Sequence, residues 1–179
     1  APIHFAQGKR AASEVPLHQL IGPAVVIDVR NQAAQDADYR VTVADIKAWE
    51  LQHGQIPKGA IILMFSGWGK YWPDKSRYLG TDKPGDVENL HFPSFSREAA
   101  EFLVSQRDID AVGVDTPSID YGQSKDFIVH QVINGVDKPG LENVANLDQM
   151  PPAGATLIAL PMKIAKGSGA PVRIIAILP

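Results

Sequence analysis

Histidine and carboxylate side chains are the first candidates for chemistry, since the chain has five histidines and no cysteine. His4 lies in the stiff, largely apolar segment Pro-Ile-His-Phe, which can hold an imidazole fixed and shift its pKa. His130 follows the apolar residues Phe-Ile-Val, and Glu142 lies twelve residues further on, at the start of a predicted strand. A carboxylate buried there needs a cation or a hydrogen bond to compensate it. His4, His130 and Glu142 are therefore the candidate residues of a functional site.

His130 and Glu142 offer the nitrogen and oxygen ligands that divalent metals such as zinc and manganese accept. The other interpretation is a lone core histidine and an unrelated glutamate at a strand edge, and the residues alone leave both open. The absence of cysteine excludes thiolate zinc sites, disulfides and cysteine nucleophiles. The sequence also has no Gly-x-Ser-x-Gly segment, which argues against a serine hydrolase.

Two aspartates follow a buried strand, Asp115 at its end and Asp120 in the next loop. Loops at the carboxyl ends of strands commonly line sites in α/β proteins, and a carboxylate there can orient a ligating histidine. We assign that supporting role to Asp115, with an Asx-turn as the alternative for either residue. His18, before a turn, and His53, at a helix C-terminus, are interpreted as structural.

Residues 67–92 show no hydrophobic periodicity, although they contain several aromatic side chains. A long irregular stretch is uncommon in a compact domain and, when ordered, usually belongs to a functional site. Trp68 and Trp72 predict a surface that stacks on the planar ring of a substrate, with Ser66 and His91 as further substrate contacts. A loop that covers the core or a subunit interface is an equal alternative.

The elements that would position these residues alternate between strands and helices. Strands are predicted over 24–30, 60–66, 111–115, 141–145, 156–164 and 172–178. Helices are predicted over 43–52, 97–107 and 125–135, after the capping residues Thr42, Ser96 and Ser124. The order indicates a single α/β domain over residues 1–179, with mixed sheets, a few helices and a strand-rich C-terminal half.

Composition excludes several classes of protein. The 179 residues suit one domain, and 45% hydrophobic with 21% charged residues is ordinary for a globular protein. A net charge of −3 without a basic face argues against a nucleic-acid partner, and no apolar run approaches the roughly 20 residues that span a membrane. We expect a cytoplasmic protein. The start at Ala1 rather than methionine suggests that preceding sequence has been removed.

Several short segments together resemble the metal-dependent cyclase family of kynurenine formamidase-like and isatin hydrolase-like enzymes. They are PIHF at 2–5, IPKG at 56–59, SGW at 66–68, HFPSFSREAA at 91–100, VGVDTPSID at 112–120, SKDFIVH at 124–130 and GLENV at 140–144. Each segment is weak evidence alone, but their order along the chain is specific. The resemblance implies the swivelling β/β/α fold of that family.

The resemblance also implies roles for individual residues. The family motif is His-x-Gly-Thr-His-x-Asp-x-Pro-x-His, and this chain contains its end, where Pro2 and His4 match. His4 would then be the proton donor and acceptor, and His130 and Glu142 would bind metal, with two zinc or manganese ions in the complete protein. The motif's other histidines and its aspartate are absent. Preceding sequence or another chain would supply them, and this chain alone is expected to bind metal weakly or not at all.

The activity implied by the resemblance is hydrolysis of an amide, lactam or lactone bond by metal-activated water. The substrate would be small and aromatic, such as N-formylkynurenine or isatin, as for an arylformamidase of tryptophan catabolism. The implied partners are this small molecule and further copies of the chain, in a dimer or tetramer. The alternative from another class is a non-catalytic binding or assembly domain that keeps the fold and has lost the metal site.

Overall fold

A computed structural model describes every residue from Ala1 to Pro179. The strands are β1 (Ile21–Asp28), β2 (Arg40–Val41), β3 (Ile61–Phe65), β4 (Ser94–Phe95), β5 (Ala111–Val114), β6 (Gly140–Leu141), β7 (Thr156–Pro161) and β8 (Val172–Ile177). The α-helices are α1 (Arg30–Ala33), α2 (Val43–His53), α3 (Lys75–Leu79), α4 (Arg97–Gln106) and α5 (Ile128–Gly135). None of these helices is long and apolar enough to cross a membrane.

Six strands form one mixed sheet in the order β6-β5-β3-β1-β7-β8. The neighbours among β1, β3, β5 and β6 pair in parallel, whereas β7 and β8 join in antiparallel pairs. Ser66, Asp115 and Glu142 come directly after β3, β5 and β6. Because parallel strands end at the same edge of a sheet, these three side chains lie along the edge where α/β proteins usually bind ligands.

The two faces of the central strands belong to two apolar clusters. Val25 and Ile62 face the larger cluster, which includes Ile46 of α2, Leu103 of α4 and Ile133 of α5. The intervening residues of the same strands face a second cluster, which is completed by residues of β7 and by the segment after β6. All five residues of β3 are buried, as expected for a central strand covered on both faces.

The predicted α/β architecture is confirmed, including its strand-rich C-terminal half. The helix predicted after Thr42 is α2, and Thr42 and Asp45 form the expected capping box. The predicted strand 141–145 is wrong, since only Gly140–Leu141 pairs with β5. Its physical reason is the left-handed backbone of Asn143, with φ of 58°, which turns the chain out of the sheet.

Candidate active site

His130 and Glu142 come together where α5 meets the end of β6. The Nε2 atom of His130 lies 3.4 Å from Oε1 of Glu142. The His130 side chain is 11% exposed and the Glu142 side chain 35%, so a nearly buried imidazole faces a more accessible carboxylate. The structure therefore brings the two predicted metal ligands next to each other.

The opposite side of the His130 ring is held by Asp120. Asp120 is fully buried, and its Oδ2 lies 2.7 Å from Nδ1 of His130. The same carboxylate accepts hydrogen bonds from the backbone N–H groups of Val129 and His130, at 2.9 and 3.0 Å. The ring is thus fixed between two carboxylates, one buried behind it and one open to the cavity.

This environment favours positive charge at His130. Burial alone would lower the pKa of the imidazole, but hydrogen bonds and charges from Asp120 and Glu142 outweigh burial and raise it. Because Asp120 occupies Nδ1, two arrangements are compatible with Nε2 next to Glu142. In one, a protonated His130 ring donates a hydrogen bond from Nε2 to Glu142; in the other, Nε2 and the Glu142 carboxylate bind the same cation.

His4 approaches the same place from the N-terminal 3-10 turn Pro2–His4. Its ring centroid lies 6.1 Å from that of His130. Burial, followed by the positive charge of the neighbouring His130, lowers the pKa of His4, although Glu142 opposes the shift. His4 is therefore neutral near pH 7 and able to accept a proton.

His4, His130 and Glu142 line one cavity of about 510 Å³. This volume is in the range of small-molecule sites. Asn134 also lines the cavity, one helical turn after His130, and its Oδ1 is buried without a hydrogen-bond partner. The cavity thus brings together the His4 imidazole, the candidate ligand pair of His130 and Glu142, and a buried oxygen of Asn134 without a hydrogen-bond partner.

The distance between His130 and Glu142 suits a shared metal ion. Two ligand atoms bound tetrahedrally at about 2.1 Å from one metal lie about 3.4 Å apart, as Nε2 and Oε1 do. However, no group of three or more His, Cys, Asp or Glu side chains is arranged to hold an ion. The pair fits a divalent metal in chemistry and spacing but supplies fewer ligands than the three or four of usual zinc sites.

The structure does not bring the four predicted substrate contacts to this cavity. Ser66 and Trp68 line a different cleft of about 830 Å³, and none of the residues around that cleft lines the cavity of His4. Trp72 is 62% exposed, and Nδ1 of His91 lies 2.7 Å from Asp38 Oδ2.

Trp68 instead belongs to a small core within its own loop. Its Nε1 donates a hydrogen bond to the carbonyl of Tyr78, and its ring packs edge-on against Tyr71. With Tyr78 and Phe92 it forms a separate buried apolar cluster. The indole of Trp68 is therefore occupied by contacts within its own loop.

The supporting role predicted for Asp115 is wrong, because Asp120 rather than Asp115 contacts the His130 ring. Asp115 accepts hydrogen bonds from the N–H and Oγ of Ser66 and from the N–H of Trp68. It therefore ties the loop after β3 to the end of β5, and burial raises its pKa. Asp120 lies further along the loop after β5, where the chain turns back to the first turn of α5.

Two aromatic residues beside His130 were missed by sequence reasoning. The ring centroid of Phe5 lies 4.4 Å from that of His130 and 5.1 Å from that of Phe127. Phe127 is 40% exposed and has a left-handed backbone, with φ of 49°. Such a conformation is strained for an aromatic residue and often marks a functional site. The sequence carries no signal for it.

Comparison with known proteins places these features in a family. The family model described as putative cyclase matches residues 1–121. The chain is 34% identical to the isatin hydrolase of Roseibium aggregatum, over all of this chain and 69% of that protein. It is 29% identical to the kynurenine formamidase of Bordetella avium, over 97% of this chain and 71% of that protein.

Solved structures agree in fold. Isatin hydrolase A from Labrenzia aggregata, bound to benzyl benzoate, has a TM-score of 0.90 and 36% identity, over 99% of this chain and 70% of that chain. An isatin hydrolase bound to the product analogue thioisatinate has a TM-score of 0.91 and 34% identity, over 100% and 70%. The resemblance found in the short motifs is confirmed, and the chain belongs to the cyclase family of hydrolases.

Proposed function

We propose that this chain is the catalytic domain of a metal-dependent hydrolase that cleaves an amide, lactam or lactone bond of a small aromatic substrate. The substrate class is an isatin-like lactam or an N-formylkynurenine-like formamide, with a lactone as a further member. The observation that carries the proposal is that His4, His130 and Glu142, from three separate segments, line one cavity. The relatives named isatin hydrolase and kynurenine formamidase support the substrate class.

His130 and Glu142 would hold the divalent metal, zinc or manganese, through Nε2 and a carboxylate oxygen. When bound, such an ion lowers the pKa of a water molecule and polarises a carbonyl group. Further ligands beyond this pair are needed to complete the coordination. The fully buried carboxylate of Asp120 keeps the His130 ring in place, because it accepts a hydrogen bond from Nδ1.

His4 moves the proton in this proposal. Its lowered pKa leaves Nδ1 or Nε2 free to take a proton from the attacking water. The resulting imidazolium then returns the proton to the leaving nitrogen as the C–N bond breaks. The reaction forms no covalent intermediate with the protein, which agrees with the absence of cysteine and of a serine nucleophile motif.

We assign the contact with the planar ring of the substrate to Phe127 and Phe5. Neither ring lines the cavity of His4 and His130, but the centroids of Phe5 and Phe127 lie 4.4 and 6.4 Å from that of His130, and Phe127 is partly exposed. An exposed aromatic ring beside the reacting groups offers an offset-stacked or edge-on contact. Trp68 is a weaker candidate because its indole is occupied within its own cluster.

The test is hydrolysis by the purified protein, made together with any sequence that precedes this chain, after loading with Mn²⁺ or Zn²⁺. We expect turnover of isatin or of N-formylkynurenine that chelation abolishes and metal restores. Binding of these compounds without turnover of an amide or a lactone, in metal-loaded protein, would favour the non-catalytic binding domain. Light scattering on the same sample tests the homo-oligomer, which stays a prediction.

A further inference from the structure

We propose that Asp120 is a positioning residue that fixes both the ring orientation and the tautomer of His130, using the same carboxylate that starts helix α5. The hydrogen bonds of Asp120 do not depend on the proposed function, whereas their consequence for catalysis rests on it. Asp120 was not distinguished from Asp115 by the sequence, and its role follows from its hydrogen bonds.

Both oxygens of the Asp120 carboxylate are hydrogen-bonded to the first turn of α5. Oδ1 accepts from the backbone N–H of Val129 at 2.9 Å. Oδ2 accepts from the backbone N–H of His130 at 3.0 Å and lies 2.7 Å from its Nδ1. Three donors compensate the cost of burying this charge, so a fully buried aspartate is tolerated here.

Helix α5 depends on this distant carboxylate because its own capping residue supplies nothing. The predicted cap Ser124 is wrong, because the residue at the N-cap is Phe127, which has no oxygen in its side chain and makes no capping hydrogen bond. The first N–H groups of a helix need acceptors, and Asp120 provides them from outside the helix. The imidazole is therefore attached to the group that also sets where the helix begins.

The same contact selects one tautomer of the neutral ring. An ionised carboxylate only accepts hydrogen bonds, so Nδ1 of His130 must carry the proton at 2.7 Å from Asp120 Oδ2. Nε2 is then an unprotonated acceptor and faces Glu142. The opposite tautomer would place two acceptors together at Asp120 and would block Nε2 with a hydrogen.

Three variants separate positioning from helix capping. Asp120→Ala removes every acceptor, whereas Asp120→Asn retains one oxygen that can still accept from Nδ1 of His130. Ser124→Ala is the matched control, since Ser124 Oγ accepts the N–H of Phe127 at the same helix start and makes no hydrogen bond to His130. Comparing the three variants distinguishes loss of a cap from loss of ring control.

The readout is ¹⁵N NMR of the imidazole nitrogens in metal-free protein, at a pH above the pKa of the ring. We expect protonated Nδ1 in the native protein, in Asp120→Asn and in Ser124→Ala, and mostly protonated Nε2 in Asp120→Ala. A folded Asp120→Ala protein that keeps protonated Nδ1 would overturn the proposal. If Asp120→Ala does not fold, native protein in which neutral His130 carries its proton on Nε2 would overturn the proposal equally.

Activity gives a second and separate measure. We expect kcat/KM to fall about 100-fold in Asp120→Ala and about 10-fold or less in Asp120→Asn, and to stay within about twofold in Ser124→Ala. An equal loss in Ser124→Ala would show that any disturbance at the start of α5 lowers activity and that ring control by Asp120 contributes nothing separate. Native protein inactive on amides and lactones would contradict the proposed function, while the NMR result would still decide the role of Asp120.

Discussion

The Nε2 atom of His130 lies 3.4 Å from Oε1 of Glu142, although twelve residues separate them in the chain. Helix α5 carries the histidine above the edge of the sheet, and the chain then returns along β6 so that Glu142 follows its last residue. The two candidate ligand atoms thus meet at about the spacing that a tetrahedral ion imposes. The chemistry proposed for the protein depends on this pair.

Replacing His4 by alanine should abolish turnover and spare the metal. His4 moves a proton in the proposed reaction, so its loss should lower kcat by about 10² to 10⁴-fold. His18→Ala is the control, because His18 lies exposed on a similar 3-10 turn and lines neither cavity. Kinetics and equilibrium dialysis with Mn²⁺ check both effects. Equal loss of metal in the His4 variant would contradict its role as a base.

Glu142→Gln should lose both metal binding and turnover. The substitution preserves size but removes the charge that pairs with a divalent cation, so we expect metal affinity to fall at least about tenfold. Glu88→Gln is the control, since Glu88 is exposed and lies in a different segment. Calorimetric titration with Zn²⁺ and Mn²⁺ measures the change. Unchanged affinity for both ions would remove Glu142 from the site.

The two tryptophans of the irregular loop should differ in stability effects. Trp68→Ala should cost about 3–5 kcal/mol of unfolding free energy, because it removes a buried ring and its hydrogen bond to Tyr78. Trp72→Ala should change it by less than about 1 kcal/mol, because Trp72 is exposed. Urea unfolding distinguishes them. Similar values would contradict the separate core assigned to Trp68.

Stability should depend on pH through Glu50. Hydrogen bonds from Arg107 lower the pKa of Glu50 below its ordinary 4.5 despite burial, so its stabilisation is present above pH 4.5 and is lost as pH falls through the lower folded value. Glu50→Gln should therefore cost about 1.5–3 kcal/mol at pH 7 and progressively less in acid. Glu101→Gln, at an exposed helical pair, should cost about 0.5 kcal/mol or less.

The unfolding free energies are measured with urea at several pH values. A cost of Glu50→Gln that stays constant between neutral and acidic pH would contradict the assignment. Equal costs for the Glu50 and Glu101 variants would show that burial of the Arg107 pair contributes nothing.

The long elements could be predicted because each carries a local signal. The unbroken apolar run of β3 and the capping box of α2 determine their structures with little help from the rest of the chain. The strands β2 and β4 have two residues each and exist only because distant segments pair. No periodicity can be read from two residues, so sequence patterns miss such strands.

The candidate site, like the fold, has parts that the sequence indicates and parts that only the structure shows. His130 and Glu142 were candidates because of their residue types and spacing, and the structure places them in contact distance. The choice between Asp115 and Asp120 could not be made from sequence, because both follow β5 and only their hydrogen-bond partners differ. The strained Phe127 had no sequence signal, since its backbone conformation results from packing at the start of α5.

Anomalous diffraction from crystals loaded with manganese or zinc tests the central claim most directly. We predict a peak that lies about 2.0–2.2 Å from both His130 Nε2 and a carboxylate oxygen of Glu142, and that disappears in Glu142→Gln. Metal-saturated protein with its ion bound elsewhere, or with His130 and Glu142 both free of it, would contradict the account.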